Sequence, residues 1–390
     1  MDVILAGMNI DHDQLQEIIS LLRQTADVLH KEKPNPDENR SLQARIYSRL
    51  DANNLTPETI SAAYARISRD PRPVNQLRDE ARHQVGKARR SNRTIIFGLG
   101  HASVAEHAVF NLDILGVTRY LSELLQAHRL VSFTEKSQRY IKLDQDYIIP
   151  EELKDTDLEQ DFQTFTQARF SDYNALREHM ETVLKHEPDL CGEDARYVLP
   201  LSVTTQMGMT INARNLEKLL QETSVSGIEE YRRFGENLFK VIEGIAPSII
   251  KYTEGSNRNL TRDNTLRSSF EKSVPPTDSL EVNSTLNEVT LVHATPEGDQ
   301  AIARALLSRI LGKSLNDSGI EDFIKNPENL KQLYLDTFKV MEPWDSAPRE
   351  FEFASVTFEI AISAAAYAQL KRHRMATMVV GPYQPALDIT

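Results

Sequence analysis

Residues 127–140 read Ala127-His128-Arg129-Leu130-Val131-Ser132-Phe133-Thr134-Glu135-Lys136-Ser137-Gln138-Arg139-Tyr140. Two arginines, a histidine, a serine, a glutamate and a tyrosine fall together where an apolar helical run gives way to a turn. Chemistry alone leaves two readings open. In one, Arg129 neutralises the C-terminal end of the helix dipole and the remainder is solvated loop. In the other, the stretch is a pocket for a phosphate and a pyrimidine. The Ser137 hydroxyl and Arg139 guanidinium then make charge-assisted bonds to phosphate oxygens, and Glu135 accepts from a sugar hydroxyl or ring nitrogen.

Upstream, Ile114, Val117, Leu121 and Leu124 share one helical face and predict a long helix that ends on Ala127-His128-Arg129. Gly100-His101-Ala102-Ser103-Val104-Ala105-Glu106-His107 reads as its start, with Ser103 capping and Glu106 completing a capping box. Such an N-terminus also suits an anion or a flavin pyrimidine edge. The imidazoles and carboxylate there match no zinc spacing, and no metal is expected. Met1–Ile10 reads as a short strand, and Asp13–Glu32 as an amphipathic helix stopped by Pro34-Asn35-Pro36. Thr56-Pro57-Glu58 opens a further helix, and the basic run Gln76–Arg93 another. Downstream, Asp155–Lys185 and the Leu216, Leu219, Leu220 face predict two more.

Beyond residue 254 the apolar pattern is lost, and Asn, Arg, Thr and Ser dominate to about Leu280. The chain then starts again. Val289-Thr290-Leu291-Val292 reads as a strand, and Thr295-Pro296-Glu297 introduces a helix bearing Ala303-Arg304, as Thr56-Pro57-Glu58 introduces one bearing Ala65-Arg66. Glu352 precedes a long apolar helix ending Arg372-His373-Arg374, as Glu106 precedes one ending Ala127-His128-Arg129. Glu106 to His128 is 22 positions and Glu352 to His373 is 21. This order predicts an internal duplication: a first repeat over 1–254, a linker over 255–284 and a second, partial repeat over 285–390.

At 390 residues the chain has room for two or three domains. A net charge of −12 argues against a nucleic-acid binder, although a local basic pocket is compatible with it. No apolar stretch approaches the roughly 20 residues of a membrane span. The short apolar start after Asp2 is not a signal-peptide core, and a lone Cys191 forbids an intrachain disulfide; both point to the cytoplasm.

His128-Arg129, seven residues, then Ser137-Gln138-Arg139-Tyr140 resembles the signature of the flavin-dependent thymidylate synthases, the ThyX type, which is Arg-His-Arg, seven residues, Ser. Ser68 after Ala65-Arg66, Gly100-His101 through Glu106-His107, Ala195-Arg196-Tyr197-Val198-Leu199-Pro200-Leu201 and Asn212-Ala213-Arg214 follow in that family's order. The likeness covers roughly residues 56–250, and residues from about 289 onward resemble the family's first half again.

The resemblance implies an α+β, helix-rich fold, each repeat having helices packed on a small curved, mainly antiparallel sheet. It implies a homo-oligomer: a dimer of two-repeat chains, or larger. It also implies reductive methylation of dUMP to dTMP with methylenetetrahydrofolate and NADPH, with FAD as cofactor. Carried over by position, Glu135, Ser137, Gln138, Arg139 and Arg196, with Gln369 and Arg372, hold dUMP. Ser103, Glu106, His128, Arg129, Asn212, Arg214, Arg372, His373 and Arg374 contact FAD. Catalytic residues are left unassigned.

The departures are specific. Ala127 replaces the leading arginine, Leu124 a glutamine, Lys218 a flavin-contacting asparagine, and Thr223 the arginine expected to ionise the uracil. Gln369, Arg372, His373 and Arg374 restore the first two in the second repeat, where Val380, Pro382 and Gln384 stand in place of the glutamate, serine and arginine. The expectation is therefore one composite pocket, with Glu135, Ser137 and Arg139 from one half and Gln369, Arg372, His373 and Arg374 from the other. Lys218 is a candidate for the missing cation. The rival reading is a catalytically impaired relative that binds flavin or nucleotide, or serves as a scaffold.

Overall fold

The computed structural model of the chain describes residues 1–29, 36–49, 55–256, 265–266, 268–270, 289–381 and 383. The expected linker lies largely outside these residues, as do Pro382 and Gln384. Two compact units result: Met1–Pro275 together with Ala368–Met378, and Pro276–Tyr367 together with Val379–Thr390. Gln369 to Arg374 therefore belong with the first unit.

The first unit begins with β1 (Asp2–Met8), α1 (His12–Leu29), α2 (Pro36–Arg49), α3 (Glu58–Arg66), α4 (Val74–His83) and α5 (Val85–Asn92). A π-helical turn (Arg93–Gly98) and a 3-10 turn (Ala102–His107) lead into β2 (Val109–Thr118), α6 (Arg119–Gln126) and β3 (Ser132–Glu135). Then come α7 (Leu158–Thr182), α8 (Pro188–Ala195), β4 (Thr204–Asn212), α9 (Ala213–Ser224) and α10 (Glu229–Ile242). The strands form one antiparallel sheet in the order β1-β2-β4-β3.

Residues 106–129 do not form one helix. From Val109 the chain alternates, with Phe110, Leu112 and Ile114 buried and Asn111 and Asp113 exposed, which is the period of a strand with one covered face. Gly116, at φ +64°, sits where the pairing with β4 slips between Leu115 and Val117, a bulge that glycine accommodates at low cost. Thr118 then caps α6 by accepting from the Leu121 amide. The expected capping box is also absent: the turn at Ala102–His107 has no side-chain cap, and Glu106 instead pairs with Arg214.

The covered sheet face packs Phe110, Leu112 and Ile114 with Met207, Met209 and Ile211 of β4 against Leu216, Leu219 and Leu220 of α9 and Phe234, Leu238 and Ile242 of α10. Burial of each such side chain contributes about 1.5–3 kcal/mol. Glu58, fully buried at the start of α3, is neutralised by Arg89 and accepts from the Ser248 amide. A buried carboxylate without such partners would shift its titration or unfold the site.

The second unit runs β5 (Val289–Ala294), α11 (Gly298–Leu311), α12 (Ser318–Ile324), α13 (Pro327–Phe338), a 3-10 turn (Arg349–Phe353), β6 (Val356–Ile360) and α14 (Ala364–Leu370), whose last residues belong to the first unit. Its core gathers Ala303, Ile320 and Ile324 with Leu307, Leu330 and Leu333. Here too the predicted long helix resolves into a strand followed by a short helix. The order strand, helices, 3-10 turn, strand, helix matches that from β1 to α6. In both cases the two strands pair antiparallel with one register slip, at Leu5/Gly7 and at Leu291/His293. The whole is α+β and helix-rich with small antiparallel sheets. Among the described residues no helix is long and apolar enough to cross a membrane.

Candidate functional site

Glu135 closes β3 opposite Met207 of β4, and the register turns its carboxylate toward α6. Arg119 Nη1 donates to Oε1, Thr205 Oγ1 to the same oxygen at 3.0 Å, and Gln126 Nε2 to Oε2 at 2.8 Å. Burial by itself would raise this carboxyl; the Arg119 guanidinium and the Gln126 amide hold it below the usual carboxylate range. The start of α6 is itself fixed, since Glu230 of α10 accepts from both the amide and the hydroxyl of Thr118.

Beyond β3 the chain turns on Ser137, whose Oγ accepts from the Arg139 and Tyr140 amides at 3.1 and 3.4 Å. Arg139 stacks over Tyr140 and pairs with Glu193 at 3.2 Å. Gln138 is half-buried in the same turn. Arg196 is 6% exposed, and its Nε donates to the Glu193 carbonyl. Burial pulls the Arg196 guanidinium down and Glu193 resists; Arg119 and Arg139 lie near enough to press on it. Glu135, Ser137, Gln138, Arg139 and Arg196 thus share one neighbourhood.

The segment after α14 reaches the same neighbourhood. Lys371 is 6% exposed within electrostatic reach of Glu123, Arg119, Glu135 and Arg372. Arg374 Nη1 donates to the Val131 carbonyl at 2.6 Å, and Arg129 Nη2 donates to the Ala376 carbonyl at 2.8 Å. Each arginine therefore binds the carbonyl two residues beyond the other, a reciprocal clasp of the kind a two-fold relation produces. Gln369 is half-buried, and Arg372 and His373 are exposed.

The residues expected to contact flavin do not converge within the chain. His128 lies against the end of α9 and α10, with Nε2 3.3 Å from the Tyr231 hydroxyl and 3.4 Å from Glu222. Burial lowers its titration and Glu222 opposes that. Glu106 and Arg214 form an ion pair at the opposite end of α9, where Asn212 caps the helix by accepting from the Asn215 amide. Ser103 is exposed on the preceding turn. From Arg214 to Glu222 is about 12 Å of helix. Thr223 is buried, its hydroxyl donating to the Leu220 carbonyl, and Lys218 points outward beside Glu222.

Sequence reasoning passed over Arg119, Gln126, Thr205, Glu193 and Lys371. Arg119 was hidden by reading its surroundings as mid-helix. Its usable signal was Thr118, a capping residue directly after a stretch of alternating burial. Lys371 had a signal too, since it occupies the place in the second His-Arg run that Gln126 occupies in the first. Among the described residues no cluster of His, Cys, Asp and Glu could hold a metal ion.

A flavin-dependent thymidylate synthase of Clostridium tetani is 29% identical over 208 residues, covering 50% of this chain and 82% of that protein. One of Geobacter sulfurreducens is 32% identical over 161 residues, covering 40% of this chain and 66% of that protein. The crystal structure of the Helicobacter pylori flavin-dependent thymidylate synthase ThyX complexed with FAD and dUMP aligns over 65% of this chain and 100% of its own, with 16% identity and a TM-score of 0.36. The model of the family described as thymidylate synthase complementing protein matches residues 49–248. That is half of the chain, and it takes in β2, α6, β3, β4 and α9 with the site residues from Ser103 to Arg214: the chain belongs to the thymidylate synthase complementing protein family.

Proposed function

We propose that the chain is an FAD-dependent thymidylate synthase that methylates dUMP to dTMP with methylenetetrahydrofolate and NADPH, in the cytoplasm and as a homo-oligomer. The observation that carries this reading is the gathering of Arg119 and Lys371 about Glu135 and of Arg139 and Arg196 about Glu193, a basic neighbourhood in a chain of net charge −12. Its relatives of the same family carry the thymidylate synthase name.

Ser137, whose oxygen accepts two amides while its proton remains for a ligand, and Arg139 suit a phosphate monoester. Glu135 Oε2 accepts from Gln126 alone among the described residues, leaving a lone pair for a sugar hydroxyl or ring N–H. The guanidinium and imidazole groups of Arg214, Arg372 and His373, all outward-facing, fit the pyrophosphate and ring edge of a dinucleotide. Bound there, FAD would supply reducing equivalents. His128, Arg129 and Arg374 serve as supports for that edge.

The chain is further read as two diverged copies, 1–254 and 285–390 about a linker at 255–284, that share a composite pocket. The matching element order and the reciprocal clasp of Arg129 and Arg374 support this. A specific observation favours a second reading, an impaired or scaffold relative: Thr223 is buried in the α9–α10 contact and presents no cation. One assay separates the two. Purified protein should be yellow with FAD, oxidise NADPH faster when dUMP is added, and release tritium from dUMP labelled at C5 when methylenetetrahydrofolate is present. A colourless preparation that ignores FAD and releases no tritium rejects the synthase.

A further inference from the structure

Lys371 is 6% exposed, and its Nζ makes no hydrogen bond among the described residues. Three N–H donors held out of water without an acceptor are a costly arrangement that calls for a partner. Around it lie Glu123 and Arg119 on α6, Glu135 on β3, and Arg372 on its own segment. Arg119 in turn is grouped with Arg139 and Arg196 around Glu193. Arg119 and Arg372 are thus the cations, and Glu123 and Glu135 the carboxylates, within electrostatic reach of Lys371.

We propose that Lys371, delivered by the segment after α14, is a phosphate-binding residue of the Glu135 pocket and donates its ammonium hydrogens to the monoester of the bound nucleotide. This rests on the nucleotide reading of the pocket and adds to it a ligand contact from the far end of the chain. The chemistry of the donor favours the phosphate over the pyrimidine ring, because an ammonium carrying three N–H donors is completed best by the anionic oxygens of a monoester. The ammonium loses its proton easily here: burial, with Arg119 and Arg372, brings Lys371 down to about 8 against the opposing pull of Glu123 and Glu135.

The test is calorimetric titration of the full chain with dUMP, deoxyuridine and inorganic phosphate, for wild type, Lys371→Met and Lys371→Arg. Wild type should bind dUMP at least tenfold more tightly than deoxyuridine at pH 7. That ratio should shrink several-fold by pH 9 as the ammonium discharges, and taking a ratio cancels titration of the uracil ring. Lys371→Met should lose most of the ratio at pH 7 and all of its pH dependence. Lys371→Arg should keep the ratio at pH 9. If Lys371→Met does not fold, the wild-type pH series alone decides, and a flat ratio overturns the proposal. Binding of dUMP by wild type and Lys371→Met alike overturns it too, with the functional reading intact. A wild-type chain that binds none of the three probes overturns both.

Discussion

Glu135 has 9% of its side chain exposed and Arg119 has 8%, so their ion pair is almost wholly inside the protein. In such a pair, removing one charge costs more than the pair itself contributes, because the other is stranded in a low-dielectric site. Glu135→Gln should therefore destabilise the first unit by about 3 kcal/mol, read as a shift in the denaturant midpoint. Replacing Arg119 with Met in the same chain should recover much of it. The pH dependence has a definite sign. Since the folded-state carboxyl titrates below its unfolded value, its stabilisation is complete above roughly pH 4.3 and is lost as pH falls through the lower folded value. Glu135→Gln should flatten that acid limb, and an unchanged limb would remove Glu135 from the account. Thr223 belongs to the same scale. A Cβ added at Gly235 would lie 2.0 Å from its hydroxyl oxygen, so α9 and α10 touch there with no room for a longer side chain. Thr223 is thus a packing residue in this chain, whatever stood at that position in its relatives.

At the scale of elements, α6 is eight residues long, too short to hold itself together in water, and depends on its cap and its neighbours. Thr118 supplies both: its oxygen accepts from Leu121, and its amide and hydroxyl donate to Glu230, whose carboxyl burial pushes up. Thr118→Ala should cost about 1–2 kcal/mol by thermal melting and also loosen Arg119, the residue after the cap. Thr118→Ser, which keeps the oxygen, should recover most of the loss. This element also shows what sequence could and could not convey. The helices α1, α3, α7 and α9, the first strand and the 127–140 cluster were legible because period and residue type agree there. β2 was not, because Ile114, Val117, Leu121 and Leu124 also satisfy a helical face, although a strand and a helix meet at Thr118. Spacing could not distinguish a continuous helix from a bulged strand turning into one at Gly116. Arg372, His373 and Arg374 were legible as a motif. The place of Lys371 beside that motif was legible, but its burial within electrostatic reach of Glu135, 236 positions earlier, was not, since nothing local reveals it.

For the molecule as a whole, the consequence of the reciprocal clasp is that residues from the two ends of the sequence are held by one repeated contact. Arg129 binds the Ala376 carbonyl and Arg374 the Val131 carbonyl, and the offset of 245 relates both donors and both acceptors. A chance contact between unrelated segments has no reason to repeat itself in this way, whereas the proposed descent of the two segments from one module gives it a reason. Arg129→Ala and Arg374→Ala should each release the 368–378 segment, costing roughly 1 kcal/mol per lost hydrogen bond. Hydrogen exchange at residues 368–378 and at 129–135 should rise together in either variant. The double variant should cost less than the two singles combined, because once one bond is gone the segment already frays and the second has less to hold. Strict additivity, with exchange rising only at the mutated side, would mean that the two contacts are independent surface bonds rather than halves of one interface.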